Sequence, residues 1–305
     1  MSSLSSASVP QPAAALPDAV VATGQPTVSR KPRSKGGITA TIVLAVGALI
    51  WISPLVLLVI TSIRPLADFI ATGPLAWPKE FTWANFTDAF RVGKFATTYR
   101  NSAILLLMKV PVGVLLSSML AFALSKLRIR FRRTIMFTVF LGLTIPIYIT
   151  IVPVFILLRS MGITDNLLGL VGPYLAFGIP FEVLVLQSFF RQLPDELIEA
   201  AKMDGASEWR IFFTLILPLS LPALVTVAIL DAVSTWNEFL FALIVLNSDV
   251  HKTIPVGLLN FQGQFANNNT GLAAGILIAV LPILLAYVVL QRWIVGGLTA
   301  GATKG

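Results

Sequence analysis

The chain has 305 residues, of which 56% are hydrophobic and only 12% are charged, and its formal net charge is +8. A soluble domain of this length needs far more charge to cover its surface, so the composition indicates a protein with several membrane spans. The sequence contains no cysteine and one histidine, which excludes a disulfide framework and a metal site built from these side chains. The basic residues lie between apolar runs and not on one face, which argues against nucleic-acid binding.

The first 36 residues differ from the rest of the chain. Residues 1–36 are rich in Ser, Ala and Pro and have no apolar periodicity, so they are predicted to form a disordered segment on the cytoplasmic side. Residues 37–305 are predicted to form one all-α membrane domain.

Six apolar runs in this domain are long enough to cross a membrane, since a helical crossing takes about 20 residues. The predicted transmembrane helices are Ile38–Ile63, Ser102–Leu124, Thr134–Leu158, Leu167–Phe190, Leu217–Trp236 and Leu272–Ile294. The apolar stretch of the fifth helix continues to Leu246, too far for one crossing and not far enough for two. We therefore expect Phe239–Leu246 to be a short helix at the outer interface, after a chain break of the kind tolerated where backbone lines a cavity.

The distribution of basic residues predicts the orientation of the six helices. Fourteen of the 22 Lys and Arg residues fall in the N-terminal segment, the loops after the second and fourth helices, and the C-terminal end, whereas seven fall on the other side. Five of those seven lie in one long loop, where charge has less influence on topology. The densest basic cluster is Arg128–Arg133. Both termini are therefore predicted to be cytoplasmic.

The cytoplasmic loop between the fourth and fifth helices, residues 191–212, has the pattern of a short helix with both ends marked. Pro194 suits the first helical position, and the acidic residues that follow it favour the positive end of a helix dipole. Lys202 favours the opposite end, Gly205 provides a stop, and Ser207 can cap the next helix. Small side chains in this helix allow a partner to approach closely.

The charge of this loop distinguishes two possible surroundings. A helix lying on a membrane surface favours a basic polar face. This segment instead carries more acidic than basic side chains: Asp195, Glu196, Glu199, Asp204 and Glu208, against Lys202 and Arg210. The acidic balance favours docking on a protein partner.

The same loop resembles a known family motif. The sequence from Glu199 to Ala206, Glu-Ala-Ala-Lys-Met-Asp-Gly-Ala, is similar to the EAA loop of ABC import permeases. In that family the loop is a coupling helix that sits in a groove on the ATP-binding subunit. The resemblance implies this docking role for Glu199, Ala200, Ala201, Asp204, Gly205 and Ala206.

Further segments resemble the carbohydrate-uptake, maltose-type branch of that family, and in particular its smaller six-span subunit. They are Asn85-Phe86, Asn101-Ser102, Trp236–Phe239, Lys252–Leu258, Leu290–Arg292 and Gly296–Gly305. The resemblance covers roughly Ile38–Gly305 and implies the type I ABC importer permease fold in a prokaryotic inner membrane. It also implies a second homologous permease, two ATP-binding subunits, an extracytoplasmic solute-binding protein, and a sugar or sugar-like substrate. A polyol or a glycerophosphate is the alternative substrate.

Three ionisable residues, Lys109, Glu182 and Asp231, lie inside predicted spans, where a charge costs roughly 3 kcal/mol. They are predicted to line a translocation path, and the alternative is that they pair within the bundle or that Lys109 reaches the interface. Asn237 and Glu238 lie beside the predicted chain break. They can hydrogen-bond a sugar hydroxyl or fix the broken helix.

Other classes of membrane protein fit the sequence less well. An ion-coupled secondary transporter would use Glu182, Asp231 and Glu238 to carry protons or sodium, but it normally brings internal repeats and more spans. An enzyme would need more catalytic side chains than this chain offers. The sequence has no Gly-x-x-x-x-Gly-Lys-Ser/Thr phosphate-binding motif, so ATP and Mg are expected on a partner subunit and no cofactor on this chain.

The predicted orientation can be tested with single cysteines, because the chain has none of its own. In the variant Arg130→Cys, a membrane-impermeant maleimide added outside intact cells should leave the thiol unlabelled until the membrane is permeabilised. The control Lys79→Cys, in the predicted outer loop, should be labelled at once. Labelling of position 130 from outside would show that the orientation is inverted.

Overall fold

The computed structural model describes residues 35–261 and 268–300, and its regular structure over these ranges is helical. The helices of the first half are α1 (Lys35–Ser62), α2 (Leu66–Thr72), α3 (Ala84–Val92), α4 (Phe95–Lys126), α5 (Arg132–Thr144), α6 (Ile147–Ser160) and α7 (Leu167–Phe190). Those of the second half are α8 (Asp195–Met203), α9 (Glu208–Ile211), α10 (Leu217–Leu219), α11 (Leu221–Asn237), α12 (Leu240–Val245), α13 (Ile254–Gly257) and α14 (Asn269–Ala300). A π-helical turn, Phe212–Ile216, joins α9 to α10, and a 3₁₀ turn, Leu258–Phe261, follows α13.

The chain contains two compact units. The described part of the first is the stretch of α1 up to Trp51, and the second, from Ile52 onward, contains the other helices. The predicted disordered segment, residues 1–36, lies outside the described residues except for its last two, with which α1 begins.

Four described helices are long and apolar enough to cross a membrane, and two bent helix pairs raise the number to six when each pair counts as one span. The fourth predicted span agrees with α7 at both ends, while α4 is longer than the predicted second span. These four to six candidate spans confirm the predicted helical membrane fold.

The third predicted span, Thr134–Leu158, corresponds to a bent pair of helices, α5 and α6. α5 and α6 meet at an angle of 100°. Ile145 between them is extended, with φ −76° and ψ 114°, because the ring of the following Pro146 disfavours the helical conformation in the preceding residue. Proline in the sequence therefore marks a break that the apolar pattern does not reveal.

The fifth span is also bent, and its straight part begins at Leu221 and not at Leu217 as predicted. The segment Glu208–Leu219 meets α11 at 78°, with Ser220 between them. Prolines at positions 218 and 222 lack the N–H groups that would continue the helical ladder across this bend. The short helix expected after the fifth span is present as α12.

The centre of the second unit is formed by α4, α7 and α11, which pack against one another. One apolar core cluster includes Leu124, Leu186 and Val227, and another includes Leu105 and Leu170. Along α4 and α7, the intramembrane charges lie between these two clusters. Large apolar side chains are exposed on α5, α6 and α14, as expected for surfaces that meet lipid or a partner subunit.

Candidate functional site

The predicted coupling helix is present as α8, with acidic residues in its first turn and Lys202 in its last. Pro194 precedes the helix as its N-cap instead of occupying the first helical position, as its ψ of 133° shows. The ring still fixes φ at −58°, close to the helical value, and directs the chain into α8. The prediction was therefore displaced by one residue.

Gly205 ends this helix in a left-handed conformation, with φ 75°. Its N–H donates to the carbonyl of Lys202 at 3.0 Å, and the N–H of Ala206 donates to the carbonyl of Ala201 at 3.0 Å. A Cβ added at Gly205 would meet no atom of this chain within 4 Å, so the constraint is on the backbone. Ser207 then caps α9 as predicted, its hydroxyl accepting from the N–H of Arg210 at 3.3 Å.

The motif residues divide into an exposed face and an anchoring face. Glu199, Ala200, Asp204 and Gly205 are exposed, whereas Ala201 and Ala206 pack against the core cluster that contains Phe190 and Ile216. Ile198 is the buried side chain of α8, with 6% of its surface exposed. The helix is thus attached along one side and free on the other.

Lys126, at the end of α4, attaches the beginning of α8. Its Nζ donates to the carbonyl of Leu193 and to the carboxylate of Asp195, both at 2.6 Å, and only 4% of its side chain is exposed. Sequence reasoning counted Lys126 only as a topology charge and missed this role. The sequence did contain a signal for it, since a lysine ends the second span and the first turn of the predicted cytoplasmic helix is acidic.

A cavity of about 590 Å³ lies beside this attachment. Both Lys126 and Arg128 line it, together with Glu199 of the motif. The carboxylate of Glu199 therefore shares this cavity with the basic side chains of Lys126 and Arg128.

The three intramembrane charges come together in one buried cluster, which we call the charge cluster: Lys109, Glu182 and Asp231. The Nζ of Lys109 donates to Oε1 of Glu182 at 3.2 Å and to Oδ1 of Asp231. Each residue belongs to a different helix, and each is at least 94% buried. The three residues therefore pair with one another within the bundle, which was the alternative to a translocation path in the sequence analysis.

Two small residues make room for the charge cluster, and the sequence analysis identified neither. Ser117 donates its hydroxyl proton to Oε2 of Glu182 at 2.7 Å. A Cβ added at Gly178 would lie 2.5 Å from the Nζ of Lys109, so glycine is required for the ammonium group to approach α7. A serine and a glycine inside an apolar run carried no signal of their own.

Glu238 holds the chain break between α11 and α12. Its carboxylate accepts from the N–H of Phe241 at 2.8 Å, from the N–H of Ala242 at 3.2 Å, and from the hydroxyl of Tyr174. These N–H groups belong to the first turn of α12, where no preceding helical carbonyl is available to accept their hydrogen bonds. Asn237 is exposed and donates to the carbonyl of Val233 in its own helix at 3.0 Å. The two neighbours therefore have different environments.

A second cavity, of about 100 Å³, connects the charge cluster to Glu238, and we call it the inner cavity. Its lining consists of Lys109, Ile147, Pro173, Tyr174, Phe177, Gly178, Asp231, Ser234, Thr235, Glu238 and Phe241. Two chain breaks meet here, since Ile147 begins α6 directly after the bend and Glu238 follows α11. Neither Glu182 nor Asn237 is part of this lining, so three of the five predicted path residues share it.

Polar contacts hold the loop between α12 and α13. Asn101 donates to the carbonyls of Val250 and Lys252 at 2.8 and 3.0 Å, so it fixes the loop before α13. Hydrogen bonds from Lys252 and from Lys94 lower the pKa of the Asp249 carboxyl to about 2. Asp249 therefore stays ionised down to strongly acidic pH, and the loop keeps these ion pairs.

Replacing Lys109 by methionine tests the charge cluster. Lys109→Met leaves two buried carboxylates without their cation, and breaking a buried pair costs about 3–5 kcal/mol. We expect a lower thermal unfolding temperature in detergent and a lower yield. The control Lys94→Met removes an ion pair in which both side chains are about half exposed, and such pairs contribute about 0–1 kcal/mol. Equal stability of the two variants would contradict a structural role for the charge cluster.

Comparison with known proteins identifies the family of this chain. Residues 113–299 match the family described as "Binding-protein-dependent transport system inner membrane component". A putative ABC transporter permease, ORF2 of a Caldicellulosiruptor species, is 35% identical, over 87% of this chain and 96% of that protein. The trehalose transport system permease SugB of Mycobacterium tuberculosis is 36% identical, over 75% and 84%. The diacetylchitobiose uptake system permease NgcG of Streptomyces coelicolor is 32% identical, over 86% and 87%.

A solved structure shares the fold. One chain of a bacterial ABC transporter involved in the import of the acidic polysaccharide alginate superposes with a TM-score of 0.73 and 26% identity, covering 84% of this chain and 95% of that one. The type I importer permease fold implied by the sequence is therefore confirmed. The chain belongs to the binding-protein-dependent transport system inner membrane components, the permease subunits of ABC transporters.

Proposed function

We propose that this chain is the permease subunit of an ATP-driven importer for a sugar or sugar-like solute. Several relatives are named for sugars, among them trehalose, diacetylchitobiose and arabino-oligosaccharides, which supports the substrate class. The observation that carries the ATP-driven part is the coupling helix α8, exposed on one face and fixed by Ile198, Lys126 and Gly205. The family match favours this function over an ion-coupled secondary transporter.

The proposed assembly contains a second homologous permease, two ATP-binding subunits and an extracytoplasmic solute-binding protein. A similar fold, at 17% identity, occurs in a bacterial alginate ABC transporter in complex with a pentasaccharide-bound periplasmic protein. ATP and Mg are bound by the partner ATPase and not by this chain, whose role is to transmit movement. Lipid surrounds the exposed apolar faces.

Coupling requires that α8 moves as a rigid body. Glu199 and Asp204 offer exposed carboxylates to a basic groove on the ATPase, and the small Ala200 allows the two backbones to approach closely. Because Lys126 and Ile198 attach the other side of α8 to the bundle, a displacement of α8 is passed to α4 and its neighbours. The helices then open the path alternately to each side of the membrane.

The proposed path includes the inner cavity. Broken helices at membrane depth are tolerated where they line a cavity, and transporter sites are often formed at such breaks. The bends beside Ile147 and Glu238 both reach the inner cavity, which also contains the charged groups of Lys109 and Asp231. Glu182 supports this lining through its ion pair with Lys109, and Asn237 is exposed at the end of α11.

Gly205→Val should uncouple ATP hydrolysis from transport while the chain still inserts and assembles into membranes. Valine is β-branched and opposes a φ of 75°, so the end of α8 must change shape. We expect weaker retention of the ATPase subunit in a pull-down and reduced substrate-stimulated ATP hydrolysis. Glu199→Lys should weaken retention more than Glu199→Ala, because it adds like-charge repulsion if the groove is basic.

A matched control is available for Gly205→Val. Gly162, in the loop between α6 and α7, has φ 70° and equally open space around its Cβ position. Gly162→Val therefore adds the same kind of backbone strain away from the coupling helix and should leave coupling intact. Parent-like coupling in Gly205→Val would remove the main support for the proposed mechanism.

The double variant Asn237→Ala, Glu238→Ala should assemble but transport poorly. Loss of the carboxylate leaves two N–H groups of α12 and the hydroxyl of Tyr174 without their acceptor, at about 1–3 kcal/mol for each unsatisfied group. Asn237→Ala alone tests the exposed neighbour. The measurement is ATP-dependent uptake into proteoliposomes, and unchanged uptake and substrate preference in the double variant would restrict both residues to a structural role.

A further inference from the structure

The inner cavity has more negative than positive groups at its wall. Lys109, Asp231 and Glu238 line it, and Lys109 is already shared with Glu182 behind the wall. One cation therefore faces three carboxylates. Because the site is buried at membrane depth, the surrounding medium screens these charges weakly.

Hydrogen-bond acceptors are in excess as well. Oδ2 of Asp231 is buried and has no hydrogen-bond partner among the described residues, although its other oxygen accepts from Lys109. A buried acceptor without a donor costs free energy, so such an atom indicates that a donor is missing. The hydroxyl groups of Ser234 and Thr235 line the same cavity and can serve as donors or acceptors.

Aromatic side chains line the inner cavity beside these polar groups. They are Tyr174, Phe177 and Phe241, so the lining combines apolar rings with hydrogen-bond acceptors. A sugar ring presents the complementary surface, with hydroxyl donors at its edge and C–H groups on its faces. The volume of about 100 Å³ corresponds to about three water molecules at about 30 Å³ each, enough for a hydroxyl-bearing edge and not for an oligosaccharide. Ser234 is exposed, so the cavity wall continues to the surface of the chain.

We propose that the inner cavity receives the hydroxyl-bearing edge of an uncharged sugar and disfavours acidic sugars. Hydroxyl groups donate to the excess acceptors, including the unpaired oxygen of Asp231, whereas a sugar carboxylate, sulfonate or phosphate meets like charge from Asp231 and Glu238. The inference rests on the proposed transport function and deepens it by naming a substrate class. It separates this chain from the solved alginate importer in substrate charge, and it excludes a glycerophosphate as the preferred solute.

The charge of the inner cavity can be measured directly in the assembled complex. Ser234→Cys places the chain's single thiol on the cavity wall, and a cationic and an anionic methanethiosulfonate reagent of similar size report the local potential. We expect the cationic-to-anionic ratio of modification rates to exceed that of the control Thr87→Cys, on the exposed surface of α3, by about tenfold, which is about 1.4 kcal/mol. Adding Asp231→Asn should reduce the ratio. A ratio equal to that of Thr87→Cys would overturn the proposal.

The ligand class is tested by protection of the same thiol. Glucose and glucuronate form a matched pair that differs in one carboxylate, and we expect glucose at millimolar concentration to slow modification of Ser234→Cys more than glucuronate does. If Asp231→Asn prevents assembly, Glu238→Gln carries the charge test, since its amide oxygen still accepts from α12. Equal protection by both sugars, or protection by neither, would overturn the inference.

A separate measurement distinguishes this failure from failure of the proposed function. Stimulation of ATP hydrolysis by a panel of sugars together with the solute-binding protein does not depend on the thiol at position 234. If the panel stimulates hydrolysis while protection shows no preference, only the charge inference is wrong. If no sugar stimulates hydrolysis and none protects the thiol, the proposed sugar transport is wrong as well.

Discussion

The arrangement of the central helices depends on one interaction, in which the carboxylates of Glu182 and Asp231 share the ammonium group of Lys109. It joins α4, α7 and α11, which pack together in the middle of the second unit. Apolar packing between helices has little orientation preference and gains little over lipid contact, whereas ion pairs in a medium of low dielectric fix both distance and register. The residues at positions 178 and 117 fit the same interaction, since Gly178 leaves space for the ammonium group and Ser117 donates a hydrogen bond to Glu182.

The attachment of α8, the proposed coupling helix, depends on a second lysine of α4. Lys109 and Lys126 both belong to α4, the first inside the bundle and the second at its end, where it binds the beginning of α8. α8 also follows α7 in the chain after a short turn, and α7 carries Glu182. α8 is therefore connected to the charge cluster by two routes, one through α4 and one through α7. Any displacement of α8 relative to α4 must break the contacts of Lys126.

The sequence predicted best the features that arise from composition or from local backbone chemistry. The apolar run of α7 has the same bounds as the helix itself, since Asn166 caps its beginning and a polar loop follows its end. The left-handed Gly205 and the cap at Ser207 were predicted because glycine and serine have specific local conformations. The bends in the third and fifth spans were missed or displaced, since hydropathy is continuous across Pro146 and Pro222 and only the chain direction changes.

Pairing between distant residues was beyond the reach of a single sequence. Lys109 and Asp231 are 122 positions apart, and their contact depends on how α4 and α11 pack, which neither apolar run encodes alone. The cost of burying an ionisable group nevertheless supplied a useful constraint, because a lysine and two acidic residues at membrane depth must pair with one another or face a polar cavity. The constraint applies whether these residues line a translocation path or pair within the bundle. The geometry shows that the two interpretations are compatible. Lys109 and Asp231 pair with each other and still line the inner cavity, so pairing within the bundle leaves a polar surface with an excess of carboxylates, and one unpaired oxygen, beside the break at Glu238.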